Sequence, residues 1–353
     1  NECSASFRFS EKVFTVFAGC IVPNHFAMAP PENGILEVLE NLLDRYKINL
    51  LQMMFGTFIA TIVFFGGLMT FVEKYLPNSI RQSFRYGKHS FKGETDPLVA
   101  WLEVPKSWFK HFYTFALFWS WLAFYVLVST VREQKEAPEY VLQFLDIMGG
   151  GRSHRKVEID STTACVGAFM LTLQCTRRFY ETNFVQIFSK KSKINLSHYA
   201  VGYVHYFGAV IALLSNTSGF VRGSKPMEFS LDKLTSQQIL YLGVFFLAWQ
   251  QQYASNMILV NLRKDPRTGS VKTEKHLLPK GGLFNLLSSP HMFLEVVMYF
   301  CIADLYMPVR IWRLIFLWVA SNQTINALLT HKWYQETFRE YPKNRRAIIP
   351  FLL

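Results

Sequence analysis

Charged residues are scarce in this chain of 353 residues: they make up 18% of it, whereas soluble domains usually carry about 25%. Half of the residues are hydrophobic and 16% are aromatic, and the mean hydropathy is slightly positive at +0.14. Length alone would suggest two soluble domains. The shortage of charge disfavours them and predicts an all-α fold, a polytopic membrane helical bundle with six to seven transmembrane helices.

Several chemical motifs are also missing. The five cysteines form no CxxC or other close pair, so we expect neither a disulfide framework nor a zinc site. No HExxH motif is present, and no metal site is predicted. Gly281-Gly282 lies between apolar runs without a strand–Gly–helix context, so a nicotinamide cofactor would not be held by a Rossmann domain. The net charge of +12 comes without a nucleic-acid module, which favours cytosolic loops and an anionic ligand over nucleic acid.

Apolar runs divide the chain into candidate transmembrane helices, each near the roughly 20 residues that a bilayer requires. The shorter stretch Val13–Val22 cannot span, Met28 resembles a natural start, and residues 1–49 are predicted to form a poorly defined N-terminal extension. No repeat or linker interrupts the rest, which we interpret as a single domain. The seven runs are Leu50–Val72, Trp108–Val131, Thr162–Phe188, His198–Phe220, Gln237–Leu262, His291–Pro308 and Ile311–Thr330.

Positive charge predicts the orientation of these spans. With seven spans, the loops 73–107, 189–197 and 263–290, together with the tail from residue 331, hold 20 Lys and Arg. The opposite set of loops holds 14. Cytosolic loops carry the excess of Lys and Arg, so the C-terminus is predicted to be cytosolic.

Polar side chains inside apolar runs are costly and therefore mark functional candidates. Arg177, Arg178 and Glu181 lie in the third run, where they either serve a site or form a self-neutralised ion pair near the interface. Gln252, Asn256 and Arg263 recur at spacings of four and seven in and just after the fifth run, so they are predicted to share one helix face. Those amides either contact a ligand or bond helices to one another.

A third polar cluster opens the sixth run. Pro290 suits the first turn of a helix, and His291 and Glu295 are spaced i and i+4, hence neighbours on one face. The pair is predicted to contact a ligand, with metal binding as the weaker alternative. The basic and aromatic tail, residues 331–351, either anchors the chain at the membrane surface or closes over a phosphorylated ligand, which Arg side chains bind well.

The motifs of residues 250–353 resemble the steroid 5α-reductase family in order and spacing. They are Asn261-Leu-Arg-Lys, Gly281-Gly-Leu-Phe, Ser288-Ser-Pro-His-Met-Phe-Leu-Glu295, Trp333-Tyr and Tyr341-Pro-Lys-Asn-Arg-Arg-Ala-Ile-Ile-Pro-Phe. Three shorter stretches are similar to the polyprenol-reducing branch of that family: Arg85-Tyr-Gly-Lys88, Val104-Pro-Lys-Ser-Trp-Phe-Lys-His-Phe-Tyr113 and Leu173-Gln-Cys-Thr-Arg-Arg-Phe-Tyr-Glu181.

The resemblance implies a seven-helix reductase of the endoplasmic reticulum membrane. It implies one domain at residues 50–353, of which residues 250–353 hold NADPH from the cytosolic side. The implied reaction is NADPH-dependent reduction of the α-isoprene double bond of a polyprenoid lipid, from polyprenol or polyprenal to dolichol or dolichal, for dolichol synthesis and protein N-glycosylation. No obligate protein partner is evident. The implied cofactor contacts are Gln252, Asn256, Arg263, His276, His291, Glu295, Tyr334 and Arg345, and among them Tyr334, His291 and Glu295 are the candidates for catalysis.

Departures from the steroid branch bear on the substrate. Cys175 stands where that branch has a tyrosine that activates the substrate carbonyl, and Asn256 and His291 replace Asp and Asn. These changes disfavour a steroid. Hydride is a nucleophile, so an α,β-unsaturated aldehyde is favoured over an allylic alcohol, which has no electron sink. The developing oxyanion needs a donor, either Tyr334 or a third-run residue. The alternatives are a reductase of 3-oxo-4-ene steroids or enoyl-CoA, an isoprenylcysteine methyltransferase-like enzyme, and a transporter or scaffold.

Overall fold

The computed structural model describes residues 34–85, 93–265 and 267–353. The apolar stretch Val13–Val22 and Met28 lie outside the described residues, as do residues 86–88 of the Arg85 motif. The chain divides into two compact units, residues 1–39 and residues 40–353. The first is described only over its last residues, 34–39, and the domain boundary placed near residue 50 stays a prediction.

Helices dominate the described part of the chain, at 68% helix against 4% strand, which confirms the all-α prediction. A two-stranded antiparallel sheet pairs β1 (Glu103–Pro105) with β2 (Lys193–Asn195). The helices are α1 (Ile35–Tyr46), α2 (Leu50–Phe71), α3 (Asn78–Phe84), α4 (Pro97–Trp101), α5 (Phe109–Glu133), α6 (Glu139–Gly149), α7 (Ser161–Tyr180), α8 (Leu196–Leu214), α9 (Ser236–Asn261), α10 (Pro290–Leu305) and α11 (Arg310–Thr337).

The long helices begin where polar side chains satisfy the free amides of a first turn. The Asn49 side chain accepts from the amide of Gln52 at the start of α2. Asp160 accepts from the amides of Thr162 and Thr163 at the start of α7. A reciprocal capping box opens α9, and α10 starts on Pro290. Because these signals are local, the seven apolar runs and the seven long helices coincide closely.

Small residues allow the helices to pack closely. The main pairs are α9 with α10, α2 with α11, α5 with α7 and α8, and α10 with α11. A Cβ atom on Gly167 would lie 2.4 Å from the Tyr306 ring, and one on Gly66 would lie 2.7 Å from Ile325 Cγ2. Glycine is therefore required sterically at both crossings, as at close helix contacts in membranes.

Two of the described helices are long and apolar enough to cross a bilayer, α2 and the segment Lys106–Glu133 that contains α5. Their outward faces expose large apolar side chains, such as Phe64 at 60% and Phe118 at 68%. Such exposure is costly in water and natural against lipid. The number of spans stays a prediction, and α10, for example, is only 16 residues long.

Several helix boundaries differ from prediction. The third run is α-helical only to Tyr180 and then forms a π-helical turn, Glu181–Val185, which agrees with the frequent use of such turns at functional sites. The last helix continues to Thr337, beyond the apolar run. The predicted loop at 132–160 contains α6, an eleven-residue helix, which is too short to span and gives no long apolar run.

Candidate functional site

A single large cavity of about 900 Å³ dominates the described part of the bundle. All seven long helices, α2, α5, α7, α8, α9, α10 and α11, contribute side chains to its wall. One end is basic and holds Arg263 and His276, whereas the other is apolar and aromatic, with Phe58 and Trp318. Ligand pockets are usually roughly 300–1,000 Å³, so the cavity has room for a large ligand or for two ligands end to end.

The middle of the cavity is lined by a buried carboxylate, Glu295 of α10. Its Oε2 accepts from Gln174 Nε2 of α7 at 2.9 Å and from Gln252 Nε2 of α9. Gln252 Nε2 also donates to the backbone oxygen of His291 at 2.8 Å. Hydrogen bonds from two side-chain amides therefore join α7 and α9 to the carboxylate on α10. Such bonds stabilise a charge inside a helical bundle.

Arg177 extends this network into α7. Its guanidinium donates to Gln174 Oε1 at 2.7 Å, and to Gln252 Oε1 and the backbone oxygen of Trp249. It also lies 3.7 Å from the carboxylate of Glu181 and 4.8 Å above the Trp249 ring. The Arg177 guanidinium is thus fixed by three oxygen acceptors and by a cation–π contact with the Trp249 ring.

Arg178 and Glu181 complete the network. Arg178 pairs with Glu181 through Nη1 and donates from Nη2 to the Tyr113 hydroxyl at 3.0 Å. Asn256 Nδ2 donates to the same carboxylate at 3.1 Å. Two arginines face two glutamates here, so the formal charges cancel. The two polar clusters predicted separately on the third and fifth runs form one network, and the amides do join helices to one another.

His291 and Glu295 share one face of α10, as their spacing predicts, and both line the cavity. Pro290 fills the first turn, and the ring of Phe284 lies 6.4 Å from the imidazole of His291. Because the backbone oxygen of His291 is bonded to Gln252, the start of α10 is fixed directly to α9. The imidazole is therefore presented to the cavity from a rigid helix terminus.

The basic end is built on Arg263, just after α9. Its Nη1 donates to the backbone oxygen of Ile187 at 2.9 Å, and its Nη2 lies 2.6 Å from His276 Nδ1. Burial lowers the pKa of Arg263 from its usual value, although an arginine stays protonated in proteins. Lys106, from the loop before α5, lines the same end of the cavity. These cations make this end suited to an anionic group.

The tail folds back against the loop that precedes α10. The Ser288 hydroxyl lies 2.6 Å from His331 Nδ1 and 2.5 Å from the Tyr341 hydroxyl, and the Ser288 amide donates to Arg346 O at 2.8 Å. Tyr341 stacks on Tyr334, with ring centroids 5.9 Å apart. These contacts place Tyr334 on the cavity wall and show that the basic tail packs on the protein itself.

Arg345 is the one predicted cofactor contact that does not line the cavity. It is 3% exposed and lies 5.5 Å from the centroid of the Tyr341 ring, which stacks on Tyr334. Burial lowers its pKa, and its Nε and Nη1 have no hydrogen-bond partner among the described residues. A buried guanidinium with free donors is costly, so its pairing with an anion that reaches this position stays a prediction.

The structure adds residues that the sequence patterns did not single out. Gln174 belongs to the polar middle of the cavity around Glu295, which we call its floor. The apolar end is lined by His205, Tyr206, Tyr299 and Trp318. Tyr299 follows Glu295 by four residues and His291 by eight, so helical spacing alone places it on the ligand-facing side of α10. His205 has a weaker signal, a histidine in a mainly apolar helix that also carries His198.

A family model described as 3-oxo-5-alpha-steroid 4-dehydrogenase matches residues 185–353. This chain belongs to that family, which confirms the resemblance to the steroid 5α-reductases, and it is an oxidoreductase. It is similar to a polyprenal reductase from Caenorhabditis elegans, with 35% identity over 273 residues that cover 76% of this chain and 85% of that protein.

Other relatives carry the same name at similar coverage. A polyprenal reductase from Xenopus tropicalis is 32% identical over 276 residues, covering 76% of this chain and 86% of that protein. One from Homo sapiens is 28% identical over 303 residues, covering 81% and 92% respectively. The similarity therefore extends well beyond the C-terminal motifs and includes most of the bundle.

Membership of this family implies a nicotinamide cofactor, and the residues present fit one. Seven of the eight predicted contacts line a single cavity, namely Gln252, Asn256, Arg263, His276, His291, Glu295 and Tyr334. Cations lie at one end for phosphates, and amides with a carboxylate lie in the middle for ribose and carboxamide groups. The roles of these residues stay predictions.

Proposed function

We propose that this chain reduces the α-isoprene double bond of a long-chain polyprenal with NADPH, for dolichol synthesis and protein N-glycosylation. The observation that carries the proposal is the single cavity with a basic end, an amide and carboxylate middle and an apolar end. The phosphates of a dinucleotide need the basic end, and a lipid chain needs the apolar end. The names of the relatives supply the substrate class.

The apolar end suits an isoprenoid chain. It is lined by Phe58, Ile62 and Phe65 of α2 and by Trp318 and Val319 of α11. These helices pack together at the outside of the bundle, and α2 exposes apolar side chains to its surroundings. A lipid tail would contact these helices, and its polar head would meet the network around Glu295.

The proposed chemistry assigns distinct tasks to the residues of this chain. Arg263, His276 and Lys106 bind phosphate groups of the cofactor, which supplies the hydride. Gln252, Asn256, His291 and Glu295 orient its ribose and nicotinamide. The buried floor excludes water, which strengthens each electrostatic contact with the reacting atoms. An aldehyde is the species reduced, because only a conjugated carbonyl gives the incoming hydride an electron sink.

The direct test is turnover by purified protein in detergent or liposomes. Polyprenal with NADPH should give the aldehyde saturated at its α-isoprene unit. A 3-oxo-4-ene steroid and a long-chain enoyl-CoA serve as competing substrates, and S-adenosylmethionine binding tests the methyltransferase alternative. Faster reduction of the steroid or the thioester than of polyprenal would overturn the substrate assignment. Cells that lack the protein should accumulate unsaturated polyprenoids in place of dolichols.

We expect the basic end of the cavity to open to the cytosol, in the endoplasmic reticulum membrane. The loop 263–290 and the tail carry Arg263, His276 and Tyr334, which share that end. A C-terminal tag should be cut by protease added to intact microsomes, whereas a tag within residues 226–230, on the opposite side, should be protected. A C-terminal tag cut only after the lumenal side is opened contradicts this orientation.

Replacing His291 should impair turnover more than folding. The imidazole lines the cavity, so His291→Gly should lower the rate per folded molecule about tenfold, equivalent to roughly 1.4 kcal/mol of transition-state stabilisation. His291→Ala should lose as much activity per folded molecule. It avoids the destabilisation of about 1 kcal/mol that a glycine causes in a helix relative to alanine. Rates and NADPH binding are measured on the folded fraction. Poor folding with normal specific activity would show that His291 only supports the helix start.

A further inference from the structure

A chain of hydrogen bonds at the apolar end of the cavity connects three helices. Trp318 Nε1 of α11 donates to His205 Nδ1 of α8 at 3.2 Å. His205 Nε2 lies 2.9 Å from the hydroxyl oxygen of Tyr299 of α10. All three side chains are buried, at 8%, 8% and 1% exposure in the order named, and all three line the cavity.

The chemistry of the groups fixes the direction of this chain. An indole N–H is a donor only, so His205 Nδ1 accepts from Trp318 and carries no hydrogen. The imidazole is therefore neutral, with its hydrogen on Nε2, and Nε2 donates to the Tyr299 oxygen. Since that oxygen accepts from His205, the hydroxyl hydrogen of Tyr299 is directed elsewhere.

The cavity is where that hydrogen is available. Among the described residues, His205 is the one hydrogen-bond partner of the Tyr299 hydroxyl, and a buried donor without an acceptor costs about 1–3 kcal/mol. Tyr299 lies on the same face of α10 as His291 and Glu295. It follows Glu295 by four residues, which is about 6 Å along the helix axis. Its hydroxyl is therefore at the junction between the polar middle and the apolar end.

We propose that Tyr299 is the catalytic residue that donates to the carbonyl oxygen of the substrate. This inference rests on the proposed function, in which that substrate is a long-chain α,β-unsaturated aldehyde. Hydride from the reduced nicotinamide forms a C–H bond at the β carbon. The C=C electron pair moves between the α and carbonyl carbons, and the C=O pair moves onto oxygen, which takes the proton of Tyr299. The oxygen then returns its proton to Tyr299. The α carbon gains a proton from a water molecule that enters from solvent after the hydride step, and the hydroxide that remains leaves to solvent.

Three other tyrosines on the cavity wall are less suited to this role. The Tyr206 hydroxyl has no hydrogen-bond partner among the described residues that would orient it. The Tyr113 hydroxyl belongs to the ion network, where it accepts from Arg178. Tyr334 lies at the basic end, stacked on Tyr341. Tyr299 is the tyrosine whose hydroxyl is bonded to a neutral donor and adjoins the apolar end. His205 and Trp318 are positioning residues, because they act through Tyr299.

Tyr299→Phe tests the inference, with Tyr306→Phe as the matched control. Tyr306 is as deeply buried, but its hydroxyl lies within 3.4 Å of the backbone oxygens of Ala164 and Leu213, and it does not line the cavity. Removal of one oxyanion donor costs about 100-fold or more in kcat. We expect that loss of kcat in the Tyr299 variant. Its KM for the aldehyde and its affinity for NADPH should stay within about threefold of the wild-type values, because the donor acts mainly in the transition state. Tyr306→Phe should keep the wild-type kcat.

A readout independent of turnover uses a polyprenal labelled with ¹³C at its carbonyl and bound with the oxidised cofactor. The hydrogen bond from Tyr299 should lower its C=O stretching frequency in the wild-type protein and in Tyr306→Phe, and the shift should disappear in Tyr299→Phe. Trp318→Phe frees the imidazole of His205 to place its hydrogen on Nδ1. That variant should show a weaker shift and a kcat reduced by about tenfold, near 1.4 kcal/mol.

Each outcome decides the inference. A wild-type kcat in folded Tyr299→Phe overturns the inference. An unshifted carbonyl frequency in the wild-type protein also overturns it, and that measurement does not depend on the folding of any variant. A large loss in Tyr113→Phe with an active Tyr299→Phe would transfer the role to Tyr113. A wild-type protein that does not reduce polyprenal overturns the proposed function, and Tyr299 as the donor falls with it. An active wild type with an equally active Tyr299→Phe overturns the inference alone.

Discussion

Replacing Arg177 with methionine should lower the free energy of unfolding by about 3–5 kcal/mol, the usual cost of removing one partner from a buried ion pair. Arg177 is 5% exposed, and its guanidinium holds Gln174, Gln252 and the backbone oxygen of Trp249. Methionine fills similar space but leaves these acceptors unpaired. It also leaves two buried carboxylates with only Arg178 to balance them. The loss should therefore exceed that of an ordinary core substitution.

Denaturant unfolding in detergent micelles measures this effect. Arg313→Met is the matched control, since Arg313 is exposed on α11 and such substitutions usually change stability by no more than about 0.5 kcal/mol. The double variant Arg177→Met, Glu181→Gln removes one charge of each sign and should recover part of the loss. A decrease below about 1 kcal/mol in Arg177→Met would show that the network contributes little to folding, against the general expectation for buried pairs.

NADPH should be preferred over NADH by about 100-fold in kcat/KM. A hydrogen bond to a charged group contributes about 1.5–3 kcal/mol, and each 1.4 kcal/mol is a factor of ten. The 2′-phosphate is the group that distinguishes the two cofactors, and the basic end offers it Arg263, His276 and Lys106. Arg263→Met should therefore reduce turnover with NADPH while leaving turnover with NADH nearly unchanged.

The control for this prediction is Lys275→Met. Lys275 is exposed in the same loop and does not line the cavity, so its loss should leave the preference intact. Initial rates with each cofactor are compared on protein of equal folded fraction, because Arg263 also bonds Ile187 O. Equal turnover of both cofactors by the wild-type protein would contradict the assignment of the basic end to phosphate.

The network on the floor of the cavity has a structural role and, by our proposal, a functional one. Gln252 and Glu295 join α7, α9 and α10, which is the role of interhelical amides in membranes. The same atoms line the space assigned to the nicotinamide. A cofactor bound there would meet groups already held in place by neighbouring helices, and such preorganisation reduces the entropic cost of binding. Structure and chemistry therefore depend on the same side chains.

The sequence by itself determined what is local. Runs of apolar residues and their caps placed the seven long helices, and a spacing of four placed His291 and Glu295 on one face of α10. The ordered motifs of residues 250–353 identified the family. The π-helical turn at Glu181–Val185 and the helix Glu139–Gly149 were missed, because neither changes the local pattern of apolar residues enough to be recognised.

Only the tertiary structure decided which helices meet. Helical periodicity gives the face on which a side chain lies, but not the helix that the face contacts, since interhelical pairing depends on packing across the whole bundle. The joining of Arg177 to Gln252, 75 residues apart, therefore had no sequence signal. The same holds for the bond between His205 and Tyr299, 94 residues apart. The floor of the cavity is made of such contacts.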